Sequence, residues 1–516
     1  MAELAPISAS ERWSRLRRWM QPGLAVKRWL LVYLASLTLI ALGMGLVLTH
    51  FYRVAPFPEP AYYLTLQFIP RLWRGLLFIA IGGAFMALAT MRLVSSFVGL
   101  LVPHYRGRVG DALYTQRVLR RGAKVVAIGG GTGLSTLLRG LKEHTSNITA
   151  IVTVCDDGGS SGRLRRDLRL LPPGDFRQCI AALADSDPLV TKLFEHRFQS
   201  DGSDLKGHAF GNLFIAALAQ ITGSFETALE ESSRVLAVRG RILPSTLEDV
   251  RLCAELADRS TVAGESRIPE LVSGLAHGEP HGGQHGSEPG AASAVCQTPD
   301  SATSHNPIRR VFMQPEHPPV YPEVVRCLLD ADLIVIGPGS LYTSILPNLL
   351  VDDLARALCW SRATKIFVCN VATQPGETDE YDVVDHVKAV YAHLEERLGV
   401  PVGQRAGVRT PLVPFTHVLV NDNLRPDIPA EWGVSRPTDG SEALAAMGVA
   451  VIEADVVDEA RPTRHDSRKL ARALLLAHAQ LRTEPASPLA WLKSAAALLR
   501  RSPLRPETVA QPALLK

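Results

Sequence analysis

A glycine-rich run at Gly129–Gly133, with the sequence GGGTG, is the segment of this chain best suited to hold a phosphate group. It follows the apolar stretch AKVVAIGG directly and precedes TLLRGLKE, which has the composition of a helix. Glycines let backbone N–H groups approach phosphate oxygens, and a helix N-terminus adds unsatisfied donors and partial positive charge. The pattern predicts a phosphate loop for a nucleotide-like ligand, with a ligand-free tight turn as the alternative. The absence of GK[ST] disfavours a P-loop NTPase.

Two carboxylates, Asp156 and Asp157, follow the next apolar stretch, ITAIVTVC. At the carboxyl end of a strand, a carboxylate can bond a ribose hydroxyl or hold Mg²⁺ beside phosphates. The following GGSSG and the side chains of Arg163, Arg165 and Arg166 add donors and positive charge that suit a diphosphate. A solvated turn is the alternative, but two such loops on neighbouring strands favour a ligand site.

Continuous apolar runs rich in Val and Ile recur from residue 123 onward, separated by helical stretches. Runs without polar alternation are typical of parallel strands that are buried on both faces. They predict an α/β fold, a Rossmann-like doubly wound and mostly parallel sheet, whose carboxyl edge brings the polar loops together. The runs are AKVVAIGG, ITAIVTVCDD, ADLIVIGPGS, TKIFVCNVA, FTHVLVND and VAVIEADVV.

The charge and cysteine content exclude several classes of protein. Lys and Arg total 55 against 51 Asp and Glu, so the chain lacks the basic excess of a nucleic-acid-binding protein. The seven cysteines form no CxxC pair, and no Cys/His cluster has the spacing of zinc ligands. Reduced, mostly buried thiols in a cytosolic domain are expected.

Two apolar stretches near the N-terminus predict a membrane anchor. Residues 29–49 carry no charge, and about 20 apolar residues let a helix cross the hydrocarbon core. A second run begins at Gly75 and predicts a span over 75–95. The alternative, a signal peptide followed by a buried helix, is weakened because the first run begins late and lacks a cleavage site. Basic residues outside both spans predict an inner (cell) membrane protein with two spans and a cytoplasmic main domain.

Composition also divides the rest of the chain. A Gly-, Ser-, Pro- and His-rich stretch predicts a disordered insertion in the α/β domain. Near the C-terminus the basic amphipathic stretch AWLKSAAALLRRSP fits a membrane surface or an ordinary docking helix. The predicted segments are a basic N-terminus (1–28), transmembrane helix 1 (29–49), an extracytoplasmic loop (50–74), transmembrane helix 2 (75–95), a basic linker (96–123), the α/β domain (124–460) with its insertion (273–306), and a helical C-terminal extension (461–516).

Seven motifs occur in a fixed order between about residues 124 and 455: GGGTGLSTLLRGLK, VTVCDDGGSSGRLR, PPGDFRQCIAALA, GHAFGNLFIAAL, STVAGES, GPGSLYTSILPNLLV and CNVATQPGETDEYDVVDHV. Together they resemble the gluconeogenesis factor (YvcK) family, within the wider CofD-like group that includes the 2-phospho-L-lactate transferase CofD. The membrane spans and the insertion lie outside the compact core of that family. Cys155 and Ala209 depart from otherwise matching motifs.

The resemblance implies a domain that binds a nucleotide sugar such as UDP-N-acetylglucosamine (UDP-GlcNAc). It also implies a role in cell shape, peptidoglycan precursor supply and gluconeogenic growth. Asp156 and Asp157 are the candidate Mg²⁺ ligands, and no other cofactor is predicted. His208 as a structural histidine, Asn212 as a helix-start residue and turn chemistry at Gly339 are the alternatives. Carried over by motif, the implied ligand-binding residues are Gly130, Gly131, Thr132, Gly133, Asp156, Asp157, Gly174, Asp175, Arg177, His208, Asn212, Gly337, Gly339, Ser340 and Asn370.

The sequence is compatible with two functions. The first is a ligand-sensing regulator without turnover, whose partners would be a nucleotide sugar, the membrane, envelope-synthesis proteins and a second copy of the chain. The second is a Mg²⁺-dependent CofD-like transferase of a nucleotidyl or phospho-carboxylate group. No catalytic residue is assigned, because phosphoryl-type transfer depends on positioning and charge neutralisation rather than on a nucleophile. The motifs resemble the YvcK branch more than the transferase branch, which favours the regulator.

Overall fold

The computed structural model describes helix Arg71–Leu101, isolated positions between 37 and 70, and residues 119–482 except 187, 200–203, 273–305, 404–411, 426 and 439. The chain divides into two compact units, Met1–Arg121 and Gly122–Lys516, and each is described by itself. The predicted N-terminus, most of the first span and of the extracytoplasmic loop, most of the linker, the insertion and the tail after Arg482 lie outside the described residues.

In the first unit, helix α1 spans Arg71–Leu101 and covers the predicted second span. Several of its described side chains are large, apolar and exposed, including those of Leu72, Trp73, Ile79 and Phe85. Within the described part of the chain, no helix reaches the combination of length and apolarity that a membrane crossing requires.

The second unit is built on a parallel sheet of seven strands, as counted in the described residues. Its strand order is β10-β9-β8-β7-β1-β2-β3, and each neighbouring pair is parallel. The predicted Rossmann-like parallel sheet is confirmed, and each of the six apolar runs contains a strand. The strands of this sheet are β1 Val125–Gly129, β2 Ile148–Val152, β3 Arg241–Pro244, β7 Leu333–Ile336, β8 Thr364–Val368, β9 His417–Asn421 and β10 Ala450–Ala454.

Strand β3 was not predicted. It has four residues and ends in Pro244, so it lacks the long Val/Ile run that marks the other strands. It lies at the edge of the sheet, where it pairs with β2 alone. Proline is tolerated at such a position because an edge strand has one free side.

Helices cover both faces of the sheet, since every residue of β1 and β7 is buried. The inward-facing Val, Ile and Leu side chains of these strands and helices form one continuous core. A short 3₁₀ turn lies at Ala430–Trp432 and a π-helical turn at Leu341–Ile345; a further 3₁₀ turn, Leu119–Arg121, belongs to the first unit. The helices of this unit are α2 Gly131–Leu141, α3 Gly159–Leu168, α4 Gly174–Leu183, α5 Pro188–Glu195, α6 Phe210–Thr222, α7 Phe225–Val235, α8 Arg267–Val272, α9 Pro322–Leu329, α10 Leu346–Leu349, α11 Asp352–Trp360, α12 Val383–Leu398, α13 Ser441–Ala446 and α14 Ser467–Arg482.

Two small antiparallel sheets flank the main one. Strand β4 (Arg251–Leu256) pairs with β5 (Thr261–Ala263) and with β6 (Ile308–Gln314), and β11 (Val457–Asp458) pairs with β12 (Arg461–His465). Neither sheet was predicted. The pairing of β4 with β6 spans the insertion, so no local hairpin signal exists in the sequence.

The strand order reverses direction at β1. From β1 the chain proceeds to β2 and β3 on one side, whereas β7, β8, β9 and β10 extend on the other. Ligands of doubly wound sheets bind outside the carboxyl ends of the strands at such a switch point. The topology therefore places the loops after β1 and β7 on the two sides of one crevice.

The region after residue 460 belongs to this domain as far as the structure describes it. Strand β12 completes a hairpin that starts before the predicted boundary, and helix α14 packs against helix α2. The contact is close at Gly140, where an added Cβ would overlap the backbone carbonyl of Ser467. Helix α14 is therefore part of the core rather than a separate extension.

Gly140→Ala is expected to lower the free energy of unfolding by about 1–3 kcal/mol, because the added methyl must displace the backbone of α14. Chemical denaturation of the wild type and the variant measures this difference. Arg139→Ala is the matched control, since its side chain is exposed and its effect should stay within about 0.5 kcal/mol. Equal stability of Gly140→Ala and the wild type would contradict the packing described.

Candidate functional site

A cleft of about 670 Å³ opens at the carboxyl edge of the parallel sheet. Its walls are the loops after β1, β2, β7, β8 and β9, together with the end of β12. It therefore lies at the switch point that the topology indicates. Nine of the predicted ligand-binding residues line it: Gly130, Gly131, Thr132, Gly133, Asp156, Asp175, Gly339, Ser340 and Asn370.

The glycine-rich run is close-packed against protein as well as open to the cleft. A Cβ on Gly130 would lie 2.5 Å from the carboxylate Oδ2 of Asp175. A Cβ on Gly133 would lie 2.5 Å from the carbonyl oxygen of Pro338. Gly131, the first residue of α2, has a φ of +58°, which favours glycine. These glycines are thus required for the packing of the walls as well as for access to a ligand.

The carboxylate of Asp175 accepts a hydrogen bond from the backbone N–H of Gly131. Gly130, the N-cap residue of α2, has no side chain, so Asp175 supplies the negative group that a helix N-terminus favours. One donor of the predicted phosphate loop is therefore bound to a protein carboxylate.

Three carboxylates, those of Asp156, Asp175 and Glu265, line the cleft together. Burial raises the pKa of Asp175 to about 7, and the charge of Asp156 adds to the shift, while the Gly131 N–H opposes it. Burial also raises the pKa of Asp156, and it raises the pKa of Glu265 well above its ordinary value with help from the neighbouring acids. Removal from water and mutual repulsion both favour the neutral forms.

Glu265 was not predicted as a site residue, although it lies in the motif STVAGES. It follows β5 of the small antiparallel sheet, which the sequence did not reveal. The motif STVAGES was the feature of the sequence that could have identified Glu265 as a site residue.

Asp157, in contrast, is turned to the neighbouring loop. Its carboxylate accepts a 2.9 Å hydrogen bond from the backbone N–H of Ser266, and it does not line the cleft. Of the predicted Mg²⁺ pair, Asp156 alone faces the cleft. Across the described residues, no group of three or more His, Cys, Asp or Glu side chains could hold a metal ion.

Arg177, His208 and Asn212 form a polar network behind the cleft around Ser160. Arg177 Nε donates to Asn212 Oδ1 at 3.0 Å, and Asn212 Nδ2 donates to Ser160 Oγ at 3.0 Å. The Ser160 hydroxyl also lies 3.1 Å from His208 Nδ1. Burial lowers the pKa of His208. None of these side chains lines the cleft, so the geometry fits the structural alternative for His208 and Asn212.

Gly174 and Gly337 also lie beside the cleft rather than in its lining. A Cβ on Gly174 would lie 2.5 Å from Asp156 Oδ2, so glycine allows the start of α4 to pack against this acid. Gly337 has a φ of +80° and begins the turn after β7. Both residues shape the lining without contacting the cleft.

The loops after β7 and β8 are bonded to each other. The amide of Asn370 receives a 3.3 Å hydrogen bond from the Gly339 N–H and donates a 2.8 Å bond to the Gly339 carbonyl. Gln374 Nε2 donates to Ser340 Oγ at 2.8 Å. The polar groups of Ser340 and Asn370 thus serve the loop structure, and they fix this wall of the cleft.

The lining also contains residues that the sequence did not single out. Trp432, in the 3₁₀ turn after β9, is 49% exposed and lies near Val434. Arg464 and His465, at the end of β12, also belong to the lining. Burial lowers the pKa of His465 to about 4, so its imidazole is neutral near pH 7. No motif reveals them, because they lie on or after strands that are distant in sequence from the glycine loop.

Asp175→Asn is expected to flatten the pH dependence of stability between about pH 4 and pH 7. The carboxyl titrates near 3.8 when unfolded and near 7 when folded, so the folded state binds more protons and the wild type loses stability as the pH rises. Asparagine keeps an acceptor for the Gly131 N–H but does not titrate. Urea denaturation at both ends of this range tests the difference. The exposed Asp167→Asn is the control, and equal slopes for Asp175→Asn and the wild type would contradict the burial described.

Comparison with known proteins places the chain in a family. The family model described as 2-phospho-L-lactate transferase CofD matches residues 125–457. The gluconeogenesis factor of Bacillus subtilis is 44% identical over 357 residues, which cover 68% of this chain and 97% of that protein. A relative from Nostoc sp. is 40% identical over 477 residues, covering 90% of this chain and 93% of its own length.

Solved structures agree with this placement. A crystal structure of a UPF0052 family protein from Bacillus halodurans is 38% identical, with a TM-score of 0.56, and covers 69% of this chain and 99% of its own. The chain therefore belongs to the gluconeogenesis factor (YvcK) family, within the CofD-like group.

Proposed function

We propose that this protein is a membrane-anchored regulator that binds a nucleotide sugar of the UDP-GlcNAc type in the cleft. Occupancy of the cleft by this ligand would link cell morphogenesis and peptidoglycan precursor supply to growth on gluconeogenic carbon. Membership in the gluconeogenesis factor family supports the link to gluconeogenic growth, and the order of motifs supports a nucleotide sugar as the ligand. Envelope-synthesis proteins and a second copy of the chain are the proposed partners.

The observation that carries the proposal is the cleft at the switch point. Its volume of about 670 Å³ lies within the range of about 300–1,000 Å³ that small-molecule sites occupy. Phosphates would lie near the glycine loop and the loop after β7; because the Gly131 N–H is bound to Asp175, they would depend on the N–H groups that follow it at the start of α2. A ligand longer than a single phosphate would extend from there toward either end.

The lining combines acidic side chains with an aromatic one, and this supports a ligand that has both a polyhydroxyl part and an aromatic part. Trp432 and Val434 offer an apolar and aromatic wall on which a base can stack. Asp156, Asp175 and Glu265 offer oxygens that accept hydrogen bonds from sugar hydroxyls. A neutral sugar suits these acids, whereas an anionic sugar would bring a further carboxylate among groups whose ionised forms burial already disfavours.

The second candidate function, a CofD-like transferase, is favoured by the acids with raised pKa values. Groups that titrate near neutral pH suit general acid–base chemistry, and Asp175 is such a group. Mg²⁺ would bind Asp156 together with ligand phosphates and water, as this ion commonly does. Formation of a product from nucleoside triphosphate, Mg²⁺ and a phospho-carboxylate acceptor would establish this function.

The proposed anchor rests on the apolar sequence of residues 29–49 and 75–95. Cell fractionation should recover the full-length protein with inner membranes, and a reporter fused after Arg121 should report a cytoplasmic location. Recovery in the soluble fraction would overturn this part of the proposal.

Calorimetry of the detergent-solubilised full chain with UDP-GlcNAc should show saturable binding. Trp432→Ala should weaken it by about tenfold, since base stacking on an aromatic side chain contributes about 1–3 kcal/mol. Trp360→Ala is the matched control, because Trp360 is exposed on α11, outside the cleft lining. No heat with any nucleotide sugar would refute the proposed function.

UDP-glucuronate should bind at least about tenfold more weakly than UDP-glucose, because its carboxylate would lose water beside acids that supply no positive charge in return. Glu265→Gln should narrow this ratio, because the glutamine NH₂ group can donate to that carboxylate, while the exposed Glu380→Gln should leave the ratio unchanged. Competition calorimetry gives both affinities. Equal affinities of the wild type for UDP-glucuronate and UDP-glucose would show that the sugar does not lie beside these acids.

A further inference from the structure

Glu377 is a buried carboxylate behind the cleft, with 7% of its surface exposed. It lies in the segment after β8 and does not line the cleft itself. It belongs to the motif CNVATQPGETDEYDVVDHV. Ionic side chains are seldom buried without specific partners, so its contacts indicate what it does.

The partners of Glu377 belong to the turn that follows β7. One carboxylate oxygen accepts a 3.1 Å hydrogen bond from the backbone N–H of Tyr342. The other accepts a 2.9 Å bond from the hydroxyl of Thr343, and the Ser340 hydroxyl contributes a further bond. These residues begin the π-helical turn Leu341–Ile345. Such turns are rare and are frequently found at functional sites.

The segment that carries Glu377 also contacts the other walls. The Thr373 N–H donates a 2.8 Å hydrogen bond to the Ser435 carbonyl, in the wall that contains Trp432. Gly376 lies against the backbone of Pro269, where an added Cβ would overlap it. Pro269 belongs to α8, which follows Glu265. One short segment therefore joins three walls of the cleft.

We propose that Glu377 is a positioning residue for the ligand. Its carboxylate holds the Ser340–Thr343 turn against the Thr373–Gly376 segment, and this contact sets the separation of the cleft walls. The residue acts through these loops and touches no ligand. The role of Glu377 in ligand binding rests on the proposed function. The contact that it makes between the two loops does not depend on that function.

The chemistry of the contacts favours a carboxylate at this position. A backbone N–H and hydroxyl groups point at the two oxygens, and an ionised carboxylate has acceptor sites on both. A glutamine would turn an NH₂ group toward one of these donors. Burial raises the pKa of Glu377, while the bonds from Thr343 and from the backbone of the turn oppose that shift.

The test compares Glu377→Gln with Glu380→Gln, its exposed neighbour in the same segment. For the full chain, Glu377→Gln should weaken UDP-GlcNAc binding about tenfold, as expected when a hydrogen bond to a buried charged group is lost. Hydrogen exchange at the amides of Tyr342 and Thr343 should also become faster. Glu380→Gln should change neither quantity.

A second pair of variants approaches the same contact from the other side. Thr343→Val removes the hydroxyl at similar volume and should reproduce the faster exchange and weaker binding, whereas Thr343→Ser should restore both. This pair keeps the test decisive if Glu377→Gln does not fold.

The outcomes separate the two claims. Failure of the wild type to bind any nucleotide sugar would refute the proposed function, and the exchange rates would still report on the turn. Wild-type affinity in Glu377→Gln and Thr343→Val would overturn the positioning role. Reduced thermal stability with unchanged affinity would also overturn it, because it would indicate a purely structural residue.

Discussion

Close approach of backbone to backbone at the switch point is the constraint on which the site depends. The first turn of α2 meets Asp175 on one side and the Pro338–Gly339 loop on the other, with no room for a Cβ at Gly130 or Gly133. Were these loops separated by the width of a side chain, the N-terminus of α2 would lose its carboxylate cap. The walls after β1, after β7 and after β5 of the flanking sheet would then no longer enclose a single cleft. Glycine at these positions is therefore a condition of assembly.

The electrostatics follow from this packing. Bringing loops together from several strands also brings together their acids, and burial makes their ionised forms costly. Asp175 accepts a hydrogen bond from the N-terminus of α2, and Asp156 accepts bonds from Ser161 and the Gly158 N–H, whereas the neighbours of Glu265 raise its pKa further. Among the described lining residues, Arg464 is the one arginine. A phosphate ligand would thus depend on backbone donors and helix dipoles more than on cationic side chains.

The sequence predicts the elements that have a local pattern. It does not predict the contacts that depend on pairing between distant residues. Uniform Val/Ile runs predicted six of the seven strands of the main sheet, since burial on both faces leaves a local signature. It also placed Gly130–Gly133, Asp156 and Asp175 correctly in one cleft. It could not distinguish Asp156 from Asp157, because the Ser266 N–H that engages Asp157 is more than 100 residues away. For the same reason, Glu265 and Trp432 had no visible relation to the glycine loop.

The C-terminal part of the domain has a consequence for the order in which the protein is made. Arg464 and His465 line the cleft, and the next helix, α14, packs directly on α2 at Gly140. The glycine loop emerges from the ribosome more than 300 residues before the helix that supports its own helix. A nascent chain thus carries an incomplete cleft for most of its synthesis. The proposed ligand would therefore stabilise the domain only when translation is nearly finished. An occupied cleft would then indicate a chain whose synthesis is complete.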